Sequence, residues 1–117
     1  MLKSIPILPV KSMLSSIKFY EARLGFQLQE EVEDYALIQN EEAFLYLKKD
    51  DKEFRAKCVF YLENIDLFFR DRGYIDYWKT LGKLHLSSEG RLVFSMVDLD
   101  GNQLKLIESS TSKYLGN

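Results

Sequence analysis

Few residues in this chain have the chemistry to do more than fold. One cysteine, Cys58, and one histidine, His85, are the obvious reactive groups among its 117 residues. A cysteine nucleophile needs a base or cation beside it to hold the thiolate. Cys58 instead sits in the apolar run Lys57-Cys58-Val59-Phe60-Tyr61-Leu62, with no histidine near in sequence, and is read as a buried, inert thiol. His85 falls in the alternation Lys83-Leu84-His85-Leu86-Ser87, where a partly exposed strand residue is expected. The serines form nothing like a nucleophile elbow. Glu30, Glu31, Glu33 and Asp34 make an acidic run, read as a solvated strand edge and turn, with attraction for a cationic ligand as the alternative. No catalytic residue is assigned.

Composition narrows the classes further. An apolar fraction of 46% with 29% charged residues, six Gly and two Pro describes a globular chain and excludes disorder and low complexity. A net charge of −2 supplies no basic field, so nucleic acid is not an expected partner. No apolar run approaches the roughly 20 residues of a membrane span. A lone cysteine cannot close an internal disulfide, and the N-terminus shows no signal-cleavage pattern, so a cytoplasmic protein without a membrane partner is expected. Eight Phe, seven Tyr and one Trp exceed what so short a chain needs to fill a core.

Periodicity supplies the elements that must position these groups. Residues 5–10 read as a strand whose prolines suit a sheet edge. Ser12 is placed as the N-cap of a helix with the apolar stripe Met13, Ile17, Tyr20 and Leu24, ended by Gly25. Strands are expected over 26–32, 35–39 and 43–48. Seven of the nine residues 48–56 are charged, which marks a linker. A strand over 57–62 follows, then a helix capped by Asn64, a looser helical stretch over 74–81, and strands over 83–87, 92–97 and 103–108. Strand–helix–three strands thus occurs twice. The expectation is a single α+β domain over 1–117, with βαβββ modules at about 1–48 and 57–110, a linker at 49–56 and a tail at 111–117.

Two stretches carry a resemblance. Leu8-Pro9-Val10-Lys11-Ser12 is followed by Ser16-Ile17-Lys18-Phe19-Tyr20-Glu21-Ala22-Arg23-Leu24-Gly25-Phe26, and Val97-Asp98-Leu99-Asp100-Gly101-Asn102-Gln103-Leu104-Lys105-Leu106 comes near the end. Together they resemble the vicinal oxygen chelate superfamily (the glyoxalase, bleomycin-resistance and extradiol-dioxygenase group), and most of all its bleomycin-resistance branch. The resemblance implies two βαβββ modules forming a curved mixed sheet around a cleft, and a homodimer. Metal-dependent members hold one divalent ion on His, Glu or equivalent residues from the first and last strand of each module. The matching positions here are Ile5, Tyr46, Lys57 and Lys105. Isoleucine has no donor atom, an ammonium group repels a cation, and one tyrosine cannot hold it alone. Neither a metal nor another cofactor is expected.

Strand alternation extends that face of the cleft. Tyr35, Phe44, Tyr46, Tyr61, Trp78 and Phe94 are expected to stack on a flat ligand, and Lys57 and Lys105 to face its anionic group. The alternative for the lysines is that both reach water at an open groove edge. The leading expectation is a metal-free binder that sequesters a small drug or metabolite, with no catalytic role. The others are a metal-dependent glyoxalase- or dioxygenase-type enzyme using His85, a cofactor-free enzyme using a lysine base, and a purely structural role.

Overall fold

The computed structural model describes residues 2–52 and 54–109, which form eight strands and three helices. The first module begins with β1 (Ile7–Val10) and α1 (Met13–Leu24). The Ser12 side chain accepts the Ser15 N–H at 3.3 Å, and Gly25, at φ 71°, ends the helix in the left-handed region. The expected apolar stripe supplies Ile17, Tyr20 and Leu24 to the core. There follow β2 (Gln27–Val32), β3 (Tyr35–Asn40) and β4 (Ala43–Lys49), in a sheet of order β1-β4-β3-β2.

β1 runs parallel to β4, and the other pairs are antiparallel. The strand begins at Ile7, two residues later than the sequence suggests. Pro6, just before it, has no N–H to donate, although its carbonyl accepts from Tyr46 at 3.0 Å. Register places Leu8, Ala36, Ile38, Leu45 and Leu47 on one buried face. A one-residue slip would turn that whole set to solvent, so the apolar pattern fixes the pairing.

The second module holds β5 (Lys57–Leu62), α2 (Ile65–Arg70), α3 (Tyr77–Thr80), β6 (Lys83–Leu86), β7 (Leu92–Val97) and β8 (Gln103–Glu108). Its sheet order is β5-β8-β7-β6. Asn64 caps α2 by accepting the Leu67 N–H at 3.0 Å. The helical stretch expected over 74–81 shrinks to one turn. Asp76 makes no side-chain cap, and of the residues of α3 only Tyr77 is buried, so little packing sustains a longer helix. Each module thus forms its own open four-stranded sheet, an α+β arrangement. None of the described helices is long and apolar enough to cross a membrane.

By its packing the chain divides into two compact units. Among the described residues, the first comprises those up to Lys57 together with Asp98–Asn102; the second comprises Cys58–Val97 and residues 103–109. The turn between β7 and β8 therefore belongs to the first unit. A buried polar network explains why. The Asp98 carboxylate accepts the Tyr20 hydroxyl at 2.7 Å, the Asn102 Nδ2–H at 2.8 Å, and the N–H groups of Asp100 and Asn102 at 2.9 Å each. Asn102 also donates to the Pro9 carbonyl and accepts the Ala56 N–H, both at 2.8 Å. Tyr20 and Asn102 are wholly buried.

In β5, Cys58 is buried. Burial pushes its thiol up from the usual range, and the Val59 backbone offsets this only in part.

Two predictions follow from this burial. Asn102→Ala strands the Ala56 N–H and the Pro9 carbonyl, and should lower stability by about 3 kcal/mol in urea unfolding. Asp100→Ala, which removes the exposed bond from the Lys11 N–H, should cost less than about 1 kcal/mol; equal losses would refute the central role of Asn102. A disulfide reagent at neutral pH should label Cys58 slowly in the native protein and rapidly in urea, whereas rapid native labelling would contradict its burial.

Candidate functional site

The face of the first sheet opposite its buried leucines carries an aromatic cluster. Pairing sets Tyr46 between Ile7 and Leu37, Phe44 beside Gln39, and Tyr35 beside Lys48. Tyr35 and Tyr46 meet edge to face, with ring centroids 6.0 Å apart and planes at 85°. Tyr35 is exposed, and Phe44 and Tyr46 are half-buried. Three of the expected ligand-binding residues are thus brought together on one accessible surface.

Two cations already lie on these rings. Lys48 Nζ stands 5.7 Å from the Tyr35 centroid, and Lys3 Nζ stands 3.8 Å from that of Phe44. The sequence reading missed both. Lys48 could have been found, because it alternates with Tyr46 along β4. Lys3 could not, since it lies ahead of β1, where no strand period gives it a direction.

The second sheet divides the remaining expected residues between its two faces. In β5, Lys57, Val59 and Tyr61 are exposed and Cys58 is buried. Lys105 is exposed between buried Leu104 and Leu106, and it pairs with Ser95. β5 and β8 are neighbours, so Lys57 and Lys105 stand on adjacent strands. Phe94, expected in the ligand site, is instead at 0% exposure in the core. It pairs with Leu106, and its ring lies 4.9 Å from that of Phe69 and 5.3 Å from that of Tyr77. Alternation along β7 puts it under α2 and α3, where no ligand can stack on it.

Trp78 also departs from the expectation. It projects from α3 beside Arg70 of α2, whose guanidinium lies 5.9 Å from its ring, on the helix-bearing side of the sheet. Its neighbour Tyr77 stacks on Phe69, with centroids 4.7 Å apart. Burial, then the charge of Asp66 and its hydrogen bond, push the Tyr77 hydroxyl up to about 12.

The positions matched to a metal site do not fit a divalent cation. Ile5 brings no donor, Lys57 and Lys105 are exposed ammonium groups, and Tyr46 packs against Tyr35. Among the described residues no three of His, Cys, Asp and Glu come together. His85 is exposed on β6 opposite Val93. Glu30, Glu31, Glu33 and Asp34 are all exposed, and Glu33 turns the chain at φ 52°, so the acidic run is a solvated edge.

No family model and no curated protein matches the chain. Solved structures do. A bleomycin-binding protein complexed with bleomycin superposes at a TM-score of 0.77 and 23% identity, over 94% of this chain and all of that one. A bleomycin resistance determinant encoded on the transposon Tn5 gives 0.79 and 23%, over 92% and 98%. A lactoylglutathione lyase from Agrobacterium tumefaciens gives 0.72 and 12%, over 92% and 93%. The two βαβββ modules therefore have the fold shared by glyoxalases and bleomycin-resistance proteins, as the helix exit at Gly25 and the turn at Asp100-Gly101-Asn102 suggest.

Proposed function

We propose that this chain binds and sequesters a small drug or metabolite without a metal ion, on the face that carries Tyr35, Phe44 and Tyr46. The carrying observation is this accessible aromatic cluster, together with Ile5, Lys57 and Lys105 at three of the four positions matched to the metal site, which leave Tyr46 as a lone donor there. Two of the solved structures with this fold are described by bleomycin binding or resistance, which supports the same reading. Sequestration needs a tight ground-state complex and no group poised for a transition state.

The preferred ligand on this reading has a flat ring and an anionic group. Rings at Tyr35 and Tyr46 offer edges and faces for stacking, and the Lys48 ammonium beside Tyr35 offers a counter-charge. Lys57, Tyr61 and Lys105, all exposed on the second sheet, are proposed as ligand contacts of that sheet. Exposed Val59, at 50%, suits burial against a second copy in a homodimer. One buried, unpaired cysteine suits a cytoplasmic setting.

A thermal-shift screen of flat carboxylates, phosphates and phenolates, run with and without divalent metals, tests the proposal. A ligand found this way should bind about tenfold more weakly to Tyr46→Ala, and Phe94→Leu should leave its affinity unchanged. Equal affinity for Tyr46→Ala would remove the aromatic face from the site. About one equivalent of zinc, nickel, iron or manganese in protein purified without chelator would favour the metal-dependent enzyme instead.

A further inference from the structure

At the ends of β1 and β4 the first unit holds a cleft of about 310 Å³ that is distinct from the aromatic cluster. Buried Pro9 contributes to its wall, and Lys11, Lys52 and Arg55 bring three cationic groups to it. Two carboxylates, Asp50 and Asp100, line the same space, but both are engaged by backbone. Asp50 Oδ1 accepts the Lys52 N–H at 2.9 Å, and Asp100 Oδ1 accepts the Lys11 N–H at 3.1 Å. Among the described residues, none of the three cations lies within ion-pair distance of a carboxylate.

Arg55 is seated rather than loose. A Cβ on Gly101 would lie 2.9 Å from Arg55 Nε and 3.2 Å from its Cδ and Cζ, so the side chain rests on the glycine. Gly101 also has φ +84°, which independently favours glycine. The chain just after Arg55 is fixed by the Ala56 N–H bond to buried Asn102, and Pro9 by the Asn102 bond to its carbonyl. Beside Arg55, Phe54 is 55% exposed, a large ring left facing water at the mouth of the cleft.

We propose that this cleft is a second ligand site for a small aromatic anion. Its phosphate or carboxylate lies among Lys11, Lys52 and Arg55, and its ring lies on Phe54. Guanidinium and ammonium donors form charge-assisted bonds to such oxygens, and the cleft volume falls in the range of small-molecule sites. The inference does not depend on the function proposed above, because none of Tyr35, Phe44 and Tyr46 lines this cleft.

Titration of the isotope-labelled full chain with inorganic phosphate, phenyl phosphate, benzoate and phenol, followed by amide NMR, tests it. Phenyl phosphate or benzoate should saturably shift the amides of Lys11, Lys52, Arg55 and Gly101, and the stronger of the two identifies the preferred anionic group. Phenol should not shift them. Arg55→Gln should weaken the stronger ligand about tenfold. Phe54→Ala should weaken phenyl phosphate and leave inorganic phosphate unchanged, and Tyr46→Ala should alter neither. An unchanged affinity in Arg55→Gln, or no saturable shift at these amides, overturns the proposal.

Discussion

The buried Asp98 carboxylate sets the terms for the first unit. A carboxylate out of water costs several kcal/mol unless donors surround it. Here four converge: the Tyr20 hydroxyl from α1, the Asn102 side chain, and two backbone N–H groups of its own turn. Meeting all four at once leaves the turn little freedom. Asn102 must face inward, Gly101 must take a positive φ, and the Asn102 amide then reaches Pro9 in β1 and Ala56 at the entrance to β5. Helix, first strand and linker end are held at one polar centre. A wholly apolar core would fill the same space without fixing these directions.

The accessible surfaces follow from that fixed interior. With Leu8, Leu45 and Leu47 turned inward, alternation obliges Ile7, Phe44 and Tyr46 to the opposite face. The aromatic face is therefore the other side of the pattern that builds the core. Charge is distributed on the same principle. Asp50 and Asp100 each accept one backbone N–H through Oδ1 and line the cleft beside Lys11, Lys52 and Arg55, so three cations there outnumber two carboxylates.

Phe94 and Trp78 show the limit of reading a site from residue type. Both are large aromatics of the kind a flat ligand would use, yet one fills the core and the other stands on a helix. The Phe94 placement follows from pairing, since buried Leu104 and Leu106 lie opposite Met96 and Phe94, while apolar Val93 and Phe94 side by side leave the buried face of β7 open in the sequence. Strand pairing is what reveals it, and pairing between distant segments is not a local property. Lys3 and Arg55 were less legible still. Neither lies in a periodic element, so nothing local gives its side chain a direction.

Local chemistry alone determined where most elements begin and end. Ser12, Gly25 and Asn64 act on backbone groups within a few residues of themselves, and the alternating leucines declare a buried face wherever the strand is placed. It likewise determined that Ile5, Lys57 and Lys105 cannot ligate a cation, because donor capacity belongs to the side chain itself. Tertiary structure decided which aromatics share a surface, and that the Asp98–Asn102 turn packs with the first unit. It also brought Lys11, Lys52 and Arg55 around one cleft. Those outcomes depend on residues tens of positions apart satisfying one another's hydrogen bonds and packing, which no local pattern encodes.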